Sequence, residues 1–390
     1  MITRGEMPQL RRAGVLAWGG AAVSWELFTP GRPLWAGLAS CAAFLLLAAG
    51  CAQHVRRGLK ARLRRSQEIA GAAQRALLRP LPGRIEGLAV AAAQLSASRG
   101  AAVGGDLYEA VPTPHGVRVV IGDVRGHGLP ALAAAAAVLG AFREAAYDEA
   151  SLAGVLRRME RALGRHVRER ARAEHPSACQ AAPESPSAEE FVTVLLLEIG
   201  RDGAVTALNC GHPWPILLRR PDEPLEPCGA VPYAAAPSRN RVVLSVPAPR
   251  PPAGPARAGP WTRRGCAFRP AAGREAEEAP APEGVRVLDG GDPLPPLGVV
   301  PVPDGLVAGE CGQLLPGDVL FLHTDGAEDA RDAAGRFFPL PRVLAGLLAR
   351  QPAPTPARLV AGVHAALLRH TGGRLTDDVA LLVLRSDRCA

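Results

Sequence analysis

The sequence has almost no lysine. One Lys stands against 44 Arg in 390 residues, and aromatic residues make up only 4%. So general a bias reflects coding rather than arginines chosen one by one for their forked guanidinium, and no single arginine is singled out on that ground. The eight cysteines are Cys41, Cys51, Cys179, Cys210, Cys228, Cys266, Cys311 and Cys389, and no C-x-x-C pair occurs among them. A zinc site therefore has no ligand spacing to build on. The chain is also far larger than a disulfide-stapled mini-domain, so scattered reduced thiols are expected. G-x-S-x-G, G-x-x-x-x-G-K-[ST] and a Ser, His, Asp order are all absent. That removes hydrolase elbows and P-loops.

The body also lacks net charge. The formal charge of +8 sits entirely in residues 1–65, on Arg4, Arg11, Arg12, Arg32, Arg56, Arg57, Lys60, Arg62, Arg64 and Arg65 against Glu6 and Glu26. The remainder balances 35 basic with 35 acidic groups. A pI near 9.5 would ordinarily raise nucleic acid as a partner. Here the excess has a local cause, so the body is expected to bind none.

That cause is an N-terminal pair of apolar runs. Residues 13–28 form the first, with Glu26 near its end, and residues 33–52 form an uncharged second run long enough for a bilayer core. Trp18, Trp25 and Trp35 suit the two interfaces, and only a short turn, TPGR, connects the runs. Arginines before the first run and the basic block after the second place both ends in the cytoplasm by the positive-inside rule. The expectation is a multi-pass hairpin in the cell membrane, residues 1–52, with the N-terminus and the body that follows in the cytoplasm. Leu47 to Cys51 also reads as a lipobox, but it comes late, after two apolar runs.

Residues 53–82 are expected to form a basic amphipathic linker helix lying on lipid headgroups and stopped by Pro80 and Pro82. It could pair two chains into a homodimer or serve as a plain spacer. From 83 to 390 strands and helices alternate. Strands are expected at 117–123, 191–199, 204–210, 216–219, 318–325 and 378–384. Helices are expected at 126–149, 152–170, 340–350 and 356–370. Seventeen of the 38 prolines fall in 221–296, which lacks apolar periodicity. Most of it, about 221–292, reads as a disordered insertion in a surface loop.

The chemistry lies in four acid-bearing segments. They are Gly104-Gly105-Asp106-Leu107-Tyr108-Glu109, Gly122-Asp123-Val124-Arg125-Gly126-His127-Gly128, His323-Thr324-Asp325-Gly326 and Thr376-Asp377-Asp378-Val379. Most of the acids abut an expected strand, with glycines that allow close backbone approach. Carboxylates converging from distant parts of the chain repel one another unless cations neutralise them. Oxygen-only ligands favour Mg²⁺ or Mn²⁺ over zinc or iron. Two such ions holding a bridging hydroxide would make a phosphoryl-transfer device.

Taken together, the segments resemble a known family. The stretches GGDLYEAV, VVIGDVRGHGLPA, FVTVLLLEI, LNCGHPWPILL, PPLGV, LLPGDVLFLHTDGAEDARD and LTDDVALLVLR are similar to the sporulation-protein-E (SpoIIE) type of metal-dependent serine/threonine phosphatases, related to phosphatase type 2C. The likeness covers about 84–220 and 293–386. It implies an α+β fold, a four-layer α-β-β-α sandwich of two antiparallel sheets with metals at one edge. By position, Asp106 and Asp123 would bind metal, Asp123 bridging both ions with the Val124 carbonyl beside it. Asp325 and Asp377, next to Asp378, would hold the other side. A bridging hydroxide would attack phosphorus in line, without a phosphoenzyme. The implied substrate is phosphoserine or phosphothreonine on a regulatory protein, in this family often an anti-sigma-factor antagonist.

Some residues depart from the family pattern or have plainer readings. Glu109 stands where the family often has Asp, which suggests an outer-sphere role. His127 lies four residues after Asp123, whereas the eukaryotic relatives carry a proton-donating His two residues on, and that role is not transferred. His212 reads as a structural turn residue and His323 as packed. Thr193 could face core or site. A noncatalytic phosphoprotein-binding scaffold is the main alternative, though all four acids are present. A nucleotide cyclase would want Glu-Phe after Asp106, where Leu107-Tyr108 stand.

Overall fold

A computed structural model describes residues 34–95, 104–126, 128–174, 190–219, 282, 284–351 and 353–388. The first apolar run, His127 and residues 220–281 of the Pro-rich segment lie outside the described residues. The chain divides into two compact units, Met1–Ser66 and Gln67–Ala390.

The second apolar run and the basic linker are one helix. α1 spans Leu34–Leu77, 44 residues without a break, or about 66 Å at 1.5 Å per residue. No proline interrupts it, and its Ala, Leu, Arg and Gln are strong helix formers. It ends three residues before Pro80. Leu46, Leu47, Val55 and Leu59 are exposed along it.

The second unit is built on two antiparallel sheets. Its strands are β1 (Arg84–Ile85), β2 (Leu88–Leu95), β3 (Asp106–Thr113), β4 (Gly116–Val124), β5 (Val192–Ile199), β6 (Ala204–Cys210), β7 (Ile216–Leu218), β8 (Val285–Val287), β9 (Gly309–Gln313), β10 (Val319–His323) and β11 (Val379–Ser386). One sheet runs β1-β2-β11-β10-β7-β8 and the other β3-β4-β5-β6-β9. The helices are α2 (Leu129–Asp148), α3 (Leu152–Glu174), α4 (Leu340–Arg350) and α5 (Pro356–His370).

Side-chain alternation sets the layers. Leu320, Leu322, Leu382 and Leu384 join the cluster shared with Val119, Ile121 and Leu195 of the other sheet. Their neighbours Val319, Phe321, Leu381 and Val383 pack with Leu344 of α4 and Leu359 and Val363 of α5. Burial on both faces explains why β10 and β11 read as continuous apolar runs. On the far side, α2 and α3 cover the five-stranded sheet. α2 is long and apolar enough to cross a membrane by composition, but half of that stretch is buried in the domain. Its Ala131, Ala134, Ala135, Val138 and Phe142 face inward, as expected of a core helix.

One buried cation ties these layers together. Arg118 on β4 is fully buried. Its Nε donates to Glu198 on β5 at 2.7 Å, and its Nη atoms donate to the carbonyls of Ala146 (3.0 Å), Glu149 (2.6 Å) and Ala150 (3.2 Å). The guanidinium thereby satisfies carbonyls that the end of α2 leaves open.

The expected insertion closes earlier than residue 292. Val285–Val287 pair with β7 as an edge strand, Leu288 is buried, and the Leu294 N–H donates to the Asn209 carbonyl. A three-residue strand inside a proline-rich stretch has too little pattern to stand out. The other expected strands and helices are present with ends shifted by a few residues, as fraying termini allow.

Candidate metal centre

Asp106 opens β3 and Asp123 lies at the penultimate position of β4, where the two are register partners. Strand pairing therefore sets their side chains next to each other on one face. Asp325 lies two residues after the end of β10, at the head of a short 3-10 turn. Asp377 and Asp378 immediately precede β11, and the Asp378 N–H donates to the Asp377 carboxylate at 2.8 Å. Because β10 and β11 are neighbours, all these acids come to one edge, two from one sheet and three from the other.

Three glycines let them approach. A Cβ on Gly105 would stand 2.7 Å from Asp123 Oδ1 and collide with the Val124 carbonyl. One on Gly104 would collide with the Asp378 carboxylate, and one on Gly326 with the Asp378 carbonyl. The Val124 N–H donates back to the Gly105 carbonyl at 3.2 Å. No side chain larger than hydrogen fits these positions without displacing an acid or its backbone.

The electrostatics record the crowding. Burial pushes the Asp106 carboxyl well above the usual carboxylate range, and Asp123, Asp378 and Asp325 push it further. Burial, then Asp325, Asp377 and Asp378, push Asp123 up to about 8. Asp325 reaches solvent, yet the surrounding protein strips part of its hydration. That loss raises its carboxyl, with Asp377 and Asp329 adding to the effect. Acids gathered this way want positive charge.

Asp106 is 3% exposed, and its Oδ2 has no hydrogen-bond partner. The Thr324 hydroxyl, which hydrogen-bonds the carboxylate, pulls the other way. An orphaned buried carboxylate oxygen, a glycine cradle and an all-oxygen donor set fit hard divalent cations. Among the described residues, no three His, Cys, Asp or Glu side chains close around a single point.

Glu109 is not part of this edge. It lies three residues after Asp106, so alternation turns it to the opposite face of β3. There Arg143 of α2 donates to it from Nε at 2.8 Å and Nη2 at 2.5 Å, and Nη2 also donates to the Leu77 carbonyl at 2.7 Å. The outer-sphere reading is therefore corrected: Glu109 joins α2 to the end of α1.

His212 and His323 are both buried. His323 is buried at the end of β10, 3.6 Å from Glu328, and burial pushes its imidazole down. His212 is buried between Thr193 and the His323 carbonyl. Thr193 sits on the site's side, since its Oγ1 accepts from the Asp123 N–H at 3.3 Å.

Sequence reasoning passed over two residues. Thr324 is fully buried and binds both Asp106 and the Ala380 N–H (2.9 Å). Asp329 turns back so that its N–H meets the Asp325 carbonyl at 2.8 Å. Thr324 lay inside a motif already singled out, and its place between two strand ends was the available signal.

A family model for stage II sporulation protein E (SpoIIE) matches residues 113–237 and 281–387, more than half the chain. Asp123, Asp325, Asp377 and Asp378 fall inside the match, and Asp106 lies just ahead of it. No curated protein matches the sequence.

Three solved structures are similar. The RsbU and RsbW domains of a Mycobacterium tuberculosis protein are 19% identical with a TM-score of 0.46, over 80% of this chain and 62% of that one. The SiaA-PP2C domain of Pseudomonas aeruginosa is 17% identical with a TM-score of 0.48, over 85% and 98%. The PP2C phosphatase domain of SpoIIE from Bacillus subtilis, with a fragment of its regulatory domain, is 13% identical with a TM-score of 0.43, over 76% and 63%. The chain thus spans about three fifths of the mycobacterial and Bacillus chains. With the family match covering both halves of the second unit, the chain belongs to the stage II sporulation protein E family.

Proposed function

We propose that this chain is a membrane-anchored phosphoserine/phosphothreonine protein phosphatase with a binuclear cation site. Its substrate would be a phosphorylated regulatory protein of the anti-sigma-factor-antagonist kind. The observation that carries the activity is the convergence of Asp106, Asp123, Asp325, Asp377 and Asp378 on one edge, with an orphaned Asp106 oxygen among them. The complete acid set supports turnover over a noncatalytic scaffold.

Asp106, Asp123, Asp325, Asp377 and Asp378, with the Val124 carbonyl, would hold Mn²⁺ or Mg²⁺. When bound, the cations supply an activated water for in-line attack and neutralise the phosphate. Asp123, with its carboxyl held near 8, must give up its proton as the site fills. Thr324 holds Asp106 in place by its hydroxyl while Ala380 holds Thr324. The exposed acids, Asp325 and Asp377, stand on the open side, where a phosphorylated side chain can enter.

The membrane reading rests on the uncharged run at 33–52, its basic collar, and Leu46 and Leu47 exposed on α1. Both chain ends would be cytoplasmic, residues 53–82 would lie on lipid, and α1 could pair two copies. Sedimentation in detergent tests the pairing.

The test of activity is hydrolysis of an aryl phosphate and a phosphoserine peptide by the full chain in detergent. Turnover is expected only with Mn²⁺ or Mg²⁺, and Asp123→Ala is expected to lower it by about 10³-fold. Activity that survives both chelation and that substitution would end this reading.

A further inference from the structure

The acids come from two different sheets, so their spacing depends on how the sheets are held at this edge. The chain crosses from the five-stranded to the six-stranded sheet between β6 and β7, through residues 211–215, and again between β9 and β10. His212 lies on the first crossover. Asn209 clamps its backbone on both sides, its Nδ2 donating to the His212 carbonyl and its Oδ1 accepting from the His212 N–H, each at 2.8 Å. The imidazole is 5% exposed.

The hydrogen-bond partners assign the tautomer. Nε2 is 3.1 Å from the His323 carbonyl, which can only accept, so Nε2 carries the hydrogen. Burial pushes His212 down to about 3, so the ring is neutral. Nδ1 is then bare and accepts the single hydrogen of the Thr193 hydroxyl at 3.1 Å, the shorter of that hydroxyl's two contacts with acceptors, the other being the Asp123 carbonyl at 3.4 Å. The same hydroxyl oxygen accepts from the Asp123 N–H at 3.3 Å. One continuous path therefore runs from Asp123 through Thr193 and His212 to His323, two residues before Asp325.

We propose that His212 is a positioning residue that, through Thr193 and the His323 carbonyl, sets the distance between the Asp106/Asp123 pair and the Asp325/Asp377 side of the site. The inference rests on the reading that these acids hold cations. Packing alone would be served by an apolar side chain. The ring instead presents one donor to one sheet and one acceptor to the other. Groups that orient metal-ligating residues from behind typically change metal affinity by about 10- to 100-fold when removed.

The test uses the full chain in detergent, with Mn²⁺ binding followed by calorimetry. Activation by Mn²⁺ and KM for an aryl phosphate are measured in parallel. Thr193→Val keeps the shape and removes the hydroxyl. It should weaken Mn²⁺ binding by about 10-fold, raise the Mn²⁺ activation constant to match, and leave the aryl phosphate KM at saturating Mn²⁺ unchanged. Thr193→Ser should restore affinity. His212→Gln, whose amide offers one donor and one acceptor, should retain more affinity than His212→Ala. Unchanged Mn²⁺ affinity in Thr193→Val and His212→Ala would overturn the inference. So would a loss of melting temperature in both without a loss of affinity. Failure of the unaltered chain to bind Mn²⁺ would instead overturn the metal-site reading itself, and this inference with it. That outcome is read from the unaltered chain alone.

Discussion

The two halves of the acid cluster are built on different principles. Asp106 and Asp123 are paired by a strand ladder, and Asp106 is buried. Asp325 and Asp377 sit on turns beyond strand ends, exposed to solvent. The first half is preorganised by backbone hydrogen bonds that the sheet requires anyway. The second half depends on local contacts, such as the Gly326 approach to the Asp378 carbonyl. A buried, ladder-fixed half can hold ions in a set place, while an exposed half leaves room for a substrate to arrive.

That contrast predicts unequal sensitivity. Asp123→Ala should lower turnover by about 10³-fold, roughly 4 kcal/mol of barrier, whereas Asp377→Asn should lose only about 10-fold. Aryl phosphate kinetics at saturating Mn²⁺ measure both, and equal losses would erase the distinction. Gly326→Ala attacks the turn-built half through its backbone. Forcing a methyl against the Asp378 carbonyl should destabilise the domain by about 1–3 kcal/mol, read from chemical unfolding.

The pH dependence of the cation-free protein probes the buried half. An unfolded aspartate loses its proton near 3.8, but folded Asp123 keeps it to about 8. Between those values the folded state binds more protons than the unfolded state, so stability falls as pH rises. The melting temperature in chelator should drop by a few °C from pH 5 to pH 8, and Mn²⁺ should reverse the trend. A flat profile in chelator would mean that the acids are less crowded than their geometry indicates. The smallest effect is expected from Glu109→Gln, on the far face of β3. It should cost about 1 kcal/mol through Arg143 and leave Mn²⁺ affinity unchanged.

The acids, β10, β11 and the helices at 340–350 and 356–370 were legible because each carries a strong local signal: an Asp beside glycine, a doubly buried apolar run, or helical periodicity. Other features were hidden for physical reasons. β2 reads LAVAAAQL, and alanine carries no strand preference. β8 is three residues inside a proline-rich stretch. Glu109 was misplaced because its family position was weighed and the alternation of β3 was not. The His212 path joins residues far apart in sequence, and no spacing rule reveals that.

The β7–β8 edge carries a last consequence. Leu218 and Val285 face each other across that pair, so the chain leaves the sheet and returns to it at nearly the same point. The pair holds the two ends of the intervening segment together. Between ends closed in this way, doubling the length of a flexible segment costs only about 0.6 kcal/mol of closure entropy. Closure at this edge is therefore set by the strand pair, and an added stretch of flexible sequence there should barely move the unfolding midpoint of the domain.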